Sequence, residues 1–253
     1  MPPELGYLRR TNRLVCLSSC VIVFLQAPEA LLPSRYPSGA VQHNRWHPKP
    51  RFPEWSRAVM VVEIPPTVQR APAKGRILET ANVLFYEDGI RNVGVDRIIS
   101  ASSVTKATFY KHYRAKDNLI VEYITARHES VRADVERMVE VGPSAEFVLR
   151  GFVAGIIAEI DSPGFRGCPF INAAAEFPDA DHPVRKVVTA HREWYVDTLA
   201  TLLKEMGHPV PGDAADELLL ARDGALSGGY AGDSIAAIAA LGSISRRIFD
   251  EAR

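Results

Sequence analysis

The strongest constraint on the fold is a set of three short helical patterns, separated by tight turns, between residues 74 and 113. In the first pattern the apolar residues fall on one face of a helix with about 3.6 residues per turn. They are Ile77, Leu78, Ala81, Leu84 and Phe85. The helix is predicted to end at Asp88-Gly89, because glycine readily takes the left-handed conformation that closes a helix.

Two further helices are predicted to follow, joined by a turn of small residues. Val95, Ile98 and Ile99 form one face of the second helix, and Gly94 takes its N-cap position. The turn is Ala101-Ser102-Ser103. Two short helices joined in this way form the geometry that places the second of them in the major groove of DNA.

The third helix carries the polar side chains that DNA reading needs. Thr105 is its predicted N-cap, and we expect it to end near Tyr110 or Lys111, with Phe109 and Tyr113 turned inward. Its hydroxyl and amine groups can reach base edges and phosphates. A plain three-helix bundle with a solvated polar face fits the same periodicity, so the pattern alone leaves both interpretations open.

The residues themselves resemble the TetR family of DNA-binding regulators. The segment ILETANVLFYEDG at 77–89 resembles the first helix of that family. The segment IISASSVTKATFYKHY at 98–113, with AKDNL at 115–119, resembles its second and third helices and the start of a fourth. In the family the third helix reads the operator.

The resemblance implies a set of DNA contacts in this chain. The residues at the family's contact positions are Thr105, Lys106, Ala107, Thr108, Tyr110, Lys111, His112 and Lys116. Lys106, Ala107 and Thr108 would face base edges or nearby phosphates. Tyr110, His112 and Lys116 would contact backbone phosphates. Ser103 stands where the family usually has a turn glycine, Ala107 replaces a frequent glycine and Ala115 a small polar cap, so we expect some strain at Ser103.

The remainder of the chain predicts only helices. Glycine and proline lie mainly between helical stretches, which we place at about 144–160, 170–176, 183–206, 213–229 and 234–251. This half resembles the ligand-binding and dimerisation domain of TetR regulators. The expected fold is therefore all-α, with a three-helix helix-turn-helix DNA-binding domain at 70–118 followed by a larger α-helical ligand-binding and dimerisation domain at 119–253.

The last two helices are rich in small residues, which permit close approach of helices. These residues are Ala221, Gly224, Ala225 and Gly228, then Ala236, Ala237, Ala240 and Gly242. In the family such helices from two subunits form a four-helix interface. We therefore expect a homodimer on a palindromic double-stranded DNA operator. Packing within one monomer is the alternative.

A pocket for a small-molecule inducer is expected among the middle helices. Its candidate residues are Phe147, Phe152, Ile156, Phe170, His191, Trp194 and Tyr195, aromatic walls with a few polar groups. Each of them is also compatible with an ordinary place in the core. Ligand binding would favour a dimer geometry that no longer fits the operator. Repression is the more common outcome in the family and is the expectation here.

The charge distribution agrees with this division. Residues 70–118 carry nine basic and five acidic side chains, whereas residues 119–253 carry 13 basic and 21 acidic ones. A basic segment joined to an acidic one indicates that only the first meets a polyanion. The odd number of cysteines, three, argues for a reducing compartment, and we expect a cytoplasmic protein.

The first part of the chain, residues 1–69, does not share this pattern. Arg9, Arg10 and Arg13 precede a short apolar run, Leu14–Leu25, which is too short to span a bilayer as a helix. The Pro/Arg/His/Trp-rich stretch after it cannot bury enough surface to fold alone. We expect this part to be disordered, or to be an extension read from an upstream start codon.

Nothing in the sequence predicts an enzyme. It contains no phosphate-binding glycine loop, nucleophile elbow or paired metal-ligand motif on a helix. Asp179, Asp181 and His182 could bind a metal but are ordinary loop and cap residues before a proline-started helix. We expect no catalytic residue, no metal, no cofactor and no membrane partner. The alternative function is a helical small-molecule sensor or interaction protein that has lost DNA recognition.

Overall fold

The computed structural model describes residues 72–252, and these form nine α-helices. The predicted N-terminal extension therefore lies outside the described residues. The helices are α1 (Ala73–Asp88), α2 (Val95–Ala101), α3 (Lys106–Tyr113), α4 (Lys116–Val141), α5 (Ala145–Ile160), α6 (Pro169–Glu176), α7 (Pro183–Glu205), α8 (Pro211–Ala231) and α9 (Ser234–Glu251). The all-α expectation is confirmed, since the described residues contain no strand.

The first three helices follow the predicted pattern, with one correction. α1 ends at Gly89, which takes a φ of 88° and whose N–H bonds to the carbonyl of Phe85. Gly94 precedes α2 and Thr105 precedes α3, as predicted. α3 was expected to end near Tyr110 or Lys111 but continues to Tyr113. Burial of the Tyr113 ring and a bond from the Asn118 amide to the Tyr113 carbonyl (3.1 Å) hold its last turn.

One long helix joins the helix-turn-helix to the rest of the chain. α4 has 26 residues and starts with Lys116, so the expected boundary at 118/119 falls inside it. One apolar cluster runs from α1–α3 through Ile120, Tyr123 and Ile124 of α4 into the region of α6. A second cluster fills the space between α5, α7, α8 and α9. No helix of residues 72–252 is both long and apolar enough to cross a membrane.

The turn between α2 and α3 contains the expected strained residue. Ser103 has a φ of 52°, in the left-handed region that favours glycine. Such a conformation costs a non-glycine residue on the order of 1 kcal/mol or more. We therefore expect Ser103→Gly to raise the free energy of unfolding by about 1 kcal/mol, measured by urea denaturation. Ser103→Ala retains the Cβ atom and should leave stability within about 0.5 kcal/mol, and equal values for the two variants would contradict this reading.

Candidate nucleic-acid interface and ligand cavity

The N-terminus of α3 is closed by the side chain of Thr105. Its Oγ1 accepts the backbone N–H of Thr108 at 3.2 Å, which satisfies one of the free donors of the first turn. The hydroxyls of Thr105 and Thr108 also lie 2.8 Å apart. Thr108 therefore presents its hydroxyl at the exposed start of the helix in a defined position.

The opposite face of α3 is anchored in the core by two aromatic side chains. Phe109 is fully buried and Tyr113 nearly so, with ring centroids 6.0 Å apart. The Tyr113 hydroxyl donates towards the Lys74 carbonyl (3.4 Å) and the Glu122 carboxylate (3.3 Å). Burial and the Glu122 charge raise the pKa of Tyr113, so its hydroxyl remains a donor. These contacts fix the rotation of α3 about its axis.

The turn that leads into α3 is held from two sides. The buried Ser102 hydroxyl donates to the carbonyl of Ile98 at 2.7 Å. From α1, the Arg76 guanidinium donates to the carbonyls of Ser102 (3.3 Å) and Ser103 (3.5 Å). Sequence reasoning did not identify Arg76, because its partners lie 26 and 27 residues away and no local spacing signals them.

Seven of the eight residues named as DNA contacts lie together on α3 and its cap. Thr108 is partly exposed, and the other six are exposed, namely Thr105, Lys106, Ala107, Tyr110, Lys111 and His112. Lys106 lies 3.7 Å from Asp96, but both side chains are largely in solvent, where such a pair contributes little. The surface combines hydroxyl, ammonium, imidazole and phenol groups, the donors used on phosphates and base edges.

Lys116, the eighth residue, is directed into the protein. Its ammonium donates to the carbonyl of Ile90 at 2.6 Å and lies 5.8 Å from the centre of the Phe85 ring. Burial lowers the pKa of Lys116, although Glu176 and Asp117 act in the opposite direction. In this conformation the side chain links α4 to the segment after α1.

A cavity of about 270 Å³ lies between α6, α7 and α8. Three of the predicted pocket residues line it: Phe170, His191 and Tyr195. Other residues of its wall are Cys168, Arg185, Arg192, Leu219 and Arg222. Arg222 was missed by sequence reasoning, although the adjacent charges Arg222 and Asp223 between apolar residues of the segment Leu218–Leu226 are a signal for a buried, paired charge.

The other four predicted pocket residues lie elsewhere. Phe152 and Ile156 line a gap of about 10 Å³ beside Tyr195, hardly larger than one water molecule. Phe147 lies at the start of α5 with 38% of its surface exposed. Trp194 packs edge-on against His128, with ring centroids 5.4 Å apart. The cavity wall therefore contains Phe170 of α6 and His191 and Tyr195 of α7, but none of the predicted residues on α5.

His191 is the most polar of the three predicted residues in the cavity wall. It is 2% exposed and stacks on Phe170 with ring centroids 3.6 Å apart. Burial, aided by the charge of Arg222, lowers the pKa of His191 to about 2, so the imidazole is neutral at pH 7. Its Nδ1 lies 3.0 Å from Nδ1 of His128, and one of the two nitrogens carries the shared hydrogen.

The loop before α7 uses its polar residues for local structure. The Asp179 carboxylate accepts the N–H of Asp181 at 2.9 Å, and Nδ1 of His182 accepts the N–H of Val184 at 3.3 Å as the helix cap. In the part of the chain that the structure describes, no group of three His, Cys, Asp or Glu side chains is arranged to hold a metal ion.

A short helix α3 anchored by its aromatic face, with a larger helical domain behind it, is the arrangement of one class of proteins, the helix-turn-helix transcription regulators. A family model of bacterial regulatory proteins, tetR family, matches residues 77–123. A second model, tetracyclin repressor-like C-terminal domain, matches residues 148–207. The chain belongs to the TetR family of transcriptional regulators, which confirms the resemblance noted in the sequence.

Solved structures agree with this assignment. A TetR-family transcriptional regulator from Streptomyces coelicolor is 39% identical, with 70% of this chain and 95% of that chain covered and a TM-score of 0.65. A TetR transcriptional regulator from Legionella pneumophila shares the fold at 19% identity, covering 71% and 97%, with a TM-score of 0.62. One from Cytophaga hutchinsonii does so at 17% identity, covering 69% and 92%, with a TM-score of 0.61. A search of curated proteins found no match.

Proposed function

We propose that this chain is a repressor that binds a palindromic operator as a homodimer and releases it when a small molecule binds. The observation that carries the proposal is the polar face of α3, which is exposed on a helix whose opposite face is anchored by Phe109 and Tyr113. A helix of fixed orientation with exposed hydrogen-bond donors is the element that reads base edges in the major groove. The proposed domains are a DNA-binding part at 70–118 and a ligand-binding and dimerisation part at 119–253.

The proposed DNA contacts are the eight residues between 105 and 116 that occupy the family's contact positions, as named in the sequence analysis. Lys106, Ala107 and Thr108 face base edges or nearby phosphates. Tyr110 and His112 contact backbone phosphates. Lys111 occupies another of the family's contact positions, and we assign its ammonium to a phosphate as well. Lys116 reaches a phosphate only after its ammonium leaves the carbonyl of Ile90, and a charged phosphate oxygen is the stronger acceptor.

The homodimer is proposed to form through α8 and α9. A Cβ atom added to Gly224, Gly228 or Gly242 would meet no atom of another part of the described chain within 4 Å. These glycines are therefore not required by packing within the monomer. Leu220 and Ile235, on the same two helices, expose 67% and 66% of their surface. Ala225 and Ala237 instead pack against the core of the monomer. Some of the small residues on α8 and α9 therefore serve packing within the monomer, and the others are available for the dimer interface.

Release by a ligand is supported by the position of α6. Its first turn carries Phe170 into the cavity wall. Its last residue, Glu176, accepts the N–H groups of Ile90 (2.9 Å) and Arg91 (2.7 Å) in the segment between α1 and α2. A shift of α6 on ligand binding would therefore act directly on the helix-turn-helix. The two sites are joined by one element with contacts at both ends.

Base and phosphate contacts can be separated with two variants on α3. Thr108→Ala removes a hydroxyl but keeps the N–H that bonds to Thr105, so the helix cap survives. We expect it to change the preferred operator bases with little loss of stability. Lys111→Ala should weaken binding about equally on all sequences and lower the slope of log affinity against log salt by about one. If neither variant altered DNA binding, the positional assignment would be wrong.

A reporter assay tests the proposal as a whole. Operators are first selected from a random duplex library with the full chain and then placed over a bacterial promoter. If the chain is a repressor, it lowers expression from the promoter with the selected operator and leaves expression from the promoter with a scrambled operator unchanged. Increased expression would show an activator, and an equal response of both operators would reject specific regulation.

A further inference from the structure

The cavity between α6, α7 and α8 has an unusual balance of charge for an apolar site. Arg185, Arg192 and Arg222 line it, and none of the residues in its wall is acidic. Its other walls are aliphatic and aromatic, with Ile171, Val188 and Leu219 beside Phe170. A buried guanidinium in such surroundings requires an anionic or strongly accepting partner.

The partners of Arg222 within the protein satisfy it only in part. It is 9% exposed, and one of its nitrogens bonds to the Asp223 carboxylate at 2.7 Å. Asp223 is shared, because its other oxygen lies 2.5 Å from Arg192. The second terminal nitrogen of Arg222 faces the Cys168 sulfur at 3.6 Å, which is a weak acceptor. The face of the guanidinium rests on the Tyr195 ring, 4.8 Å from its centre.

Nearby acidic groups do not neutralise the cluster. Besides Asp223, Glu159 acts on Arg222, and it also faces Arg127. Burial raises the pKa of Glu159, which weakens its contribution as an anion. Asp223 is shared between Arg192 and Arg222, and Glu159 between Arg222 and Arg127, so positive charge remains in excess even with both carboxylates ionised. This excess suits an anionic ligand, and Arg222, the buried guanidinium of the wall, can accommodate one carboxylate.

His191 supplies a second, independent indication of a ligand. It is 2% exposed, and its Nε2 is buried without a hydrogen-bond partner among residues 72–252. When His128 donates from its Nδ1, the neutral His191 carries its hydrogen on Nε2. Buried donors in native proteins are normally satisfied. An acceptor on a bound molecule would satisfy this one.

We propose that the effector is a small organic monocarboxylate, whose anionic group binds Arg222 and Nε2 of His191 and whose apolar body packs on Phe170, Val188 and Leu219. This inference rests on the proposed function, in which a ligand occupies this cavity. The cavity volume of about 270 Å³ lies below that of typical drug-sized sites, so the ligand is compact.

Matched pairs of carboxylates and carboxamides test the inference on the full chain. The probes are benzoate and benzamide, 2-naphthoate and 2-naphthamide, and octanoate and octanamide, measured by titration calorimetry at pH 7. We expect at least one carboxylate to bind with one molecule per chain, about tenfold or more tighter than its amide, because a charge-assisted bond is lost in the amide. The proposal is overturned if the amides bind as tightly as their carboxylates, or if none of the three carboxylates binds.

Two variants locate the binding groups. Arg222→Met should weaken the best carboxylate about tenfold or more, and Asp223 keeps Arg192 as its partner, so no carboxylate is left unpaired. His191→Phe preserves the ring stacked on Phe170 and should weaken binding by a smaller factor. Lys186→Met removes the same charge from the exposed side of α7 and should leave affinity unchanged. If Arg222→Met fails to fold, the proposed site is tested by His191→Phe and by the comparison of carboxylates with amides. Unchanged carboxylate affinity in His191→Phe would then contradict the proposed site.

Operator release is measured separately, by anisotropy of labelled DNA. Carboxylates that bind in the calorimeter but leave DNA bound would support this inference and contradict the release mechanism. If neutral compounds release the DNA and no carboxylate binds, the release mechanism is supported and the carboxylate inference is contradicted.

Discussion

Gly228→Arg is expected to convert the proposed homodimer into monomers and to weaken operator binding at least about 100-fold. The Cβ position of Gly228 is open, so the monomer can accept the new side chain. At a two-fold interface the substitution occurs on both subunits and introduces two large charged groups where helices approach closely. A monomer contacts only one half of the operator and loses the gain from binding two linked half-sites. Sedimentation equilibrium at micromolar concentration measures the mass, and anisotropy measures the DNA affinity.

Gly212→Arg provides the matched control. Gly212 is also open at its Cβ position and also lies on α8, sixteen residues away. At about 1.5 Å per residue, this separates the two sites by roughly 24 Å. The control should remain dimeric and bind DNA normally. A dimeric Gly228→Arg variant, or a monomeric unmodified chain, would refute the proposed interface.

Phe109→Ala is expected to cost about 3–5 kcal/mol of stability and to abolish operator binding. The ring is fully buried, with its centroid 5.3 Å from that of Tyr110 and 6.0 Å from that of Tyr113. α3 has only eight residues, too few to be stable without tertiary contacts. Removal of its main anchor should therefore release the reading helix. Urea denaturation and amide hydrogen exchange of residues 106–113 measure the two effects.

Phe147→Ala controls for the loss of a phenyl ring as such. Phe147 is 38% exposed on α5, and its removal should cost under about 1 kcal/mol with unchanged DNA affinity. Normal operator binding by Phe109→Ala would show that the orientation of α3 does not depend on this anchor.

Local patterns predicted most of the helical framework. The apolar spacing of α1, the cap at Thr105 and the glycine at 89 are short-range features, and the structure confirms them. The end of α3 was missed because its last turn depends on Asn118 and on burial of Tyr113, which are tertiary contacts. Tertiary contacts of this kind extend a helix beyond what its local pattern indicates, because most helical stability in proteins comes from packing.

The links between distant residues could not be predicted from spacing. Arg76 reaches the α2–α3 turn from 26 residues away, and Glu176 meets Ile90 across 86 residues. The inward direction of Lys116 likewise depends on where the Ile90 carbonyl lies in the folded chain. For the cavity, aromatic residues were recognised but their arrangement was not, because Phe170 of α6 meets His191 of α7 only when the two helices pack together.

The most direct test of DNA recognition is fluorescence anisotropy of the full chain with its selected operator and a scrambled duplex, across a salt series. We expect affinity to fall steeply with salt and to favour the operator, since phosphate contacts release counterions and base contacts discriminate sequence. Weak binding that is equal on both duplexes and insensitive to salt would contradict this account and indicate a helical sensor without DNA recognition.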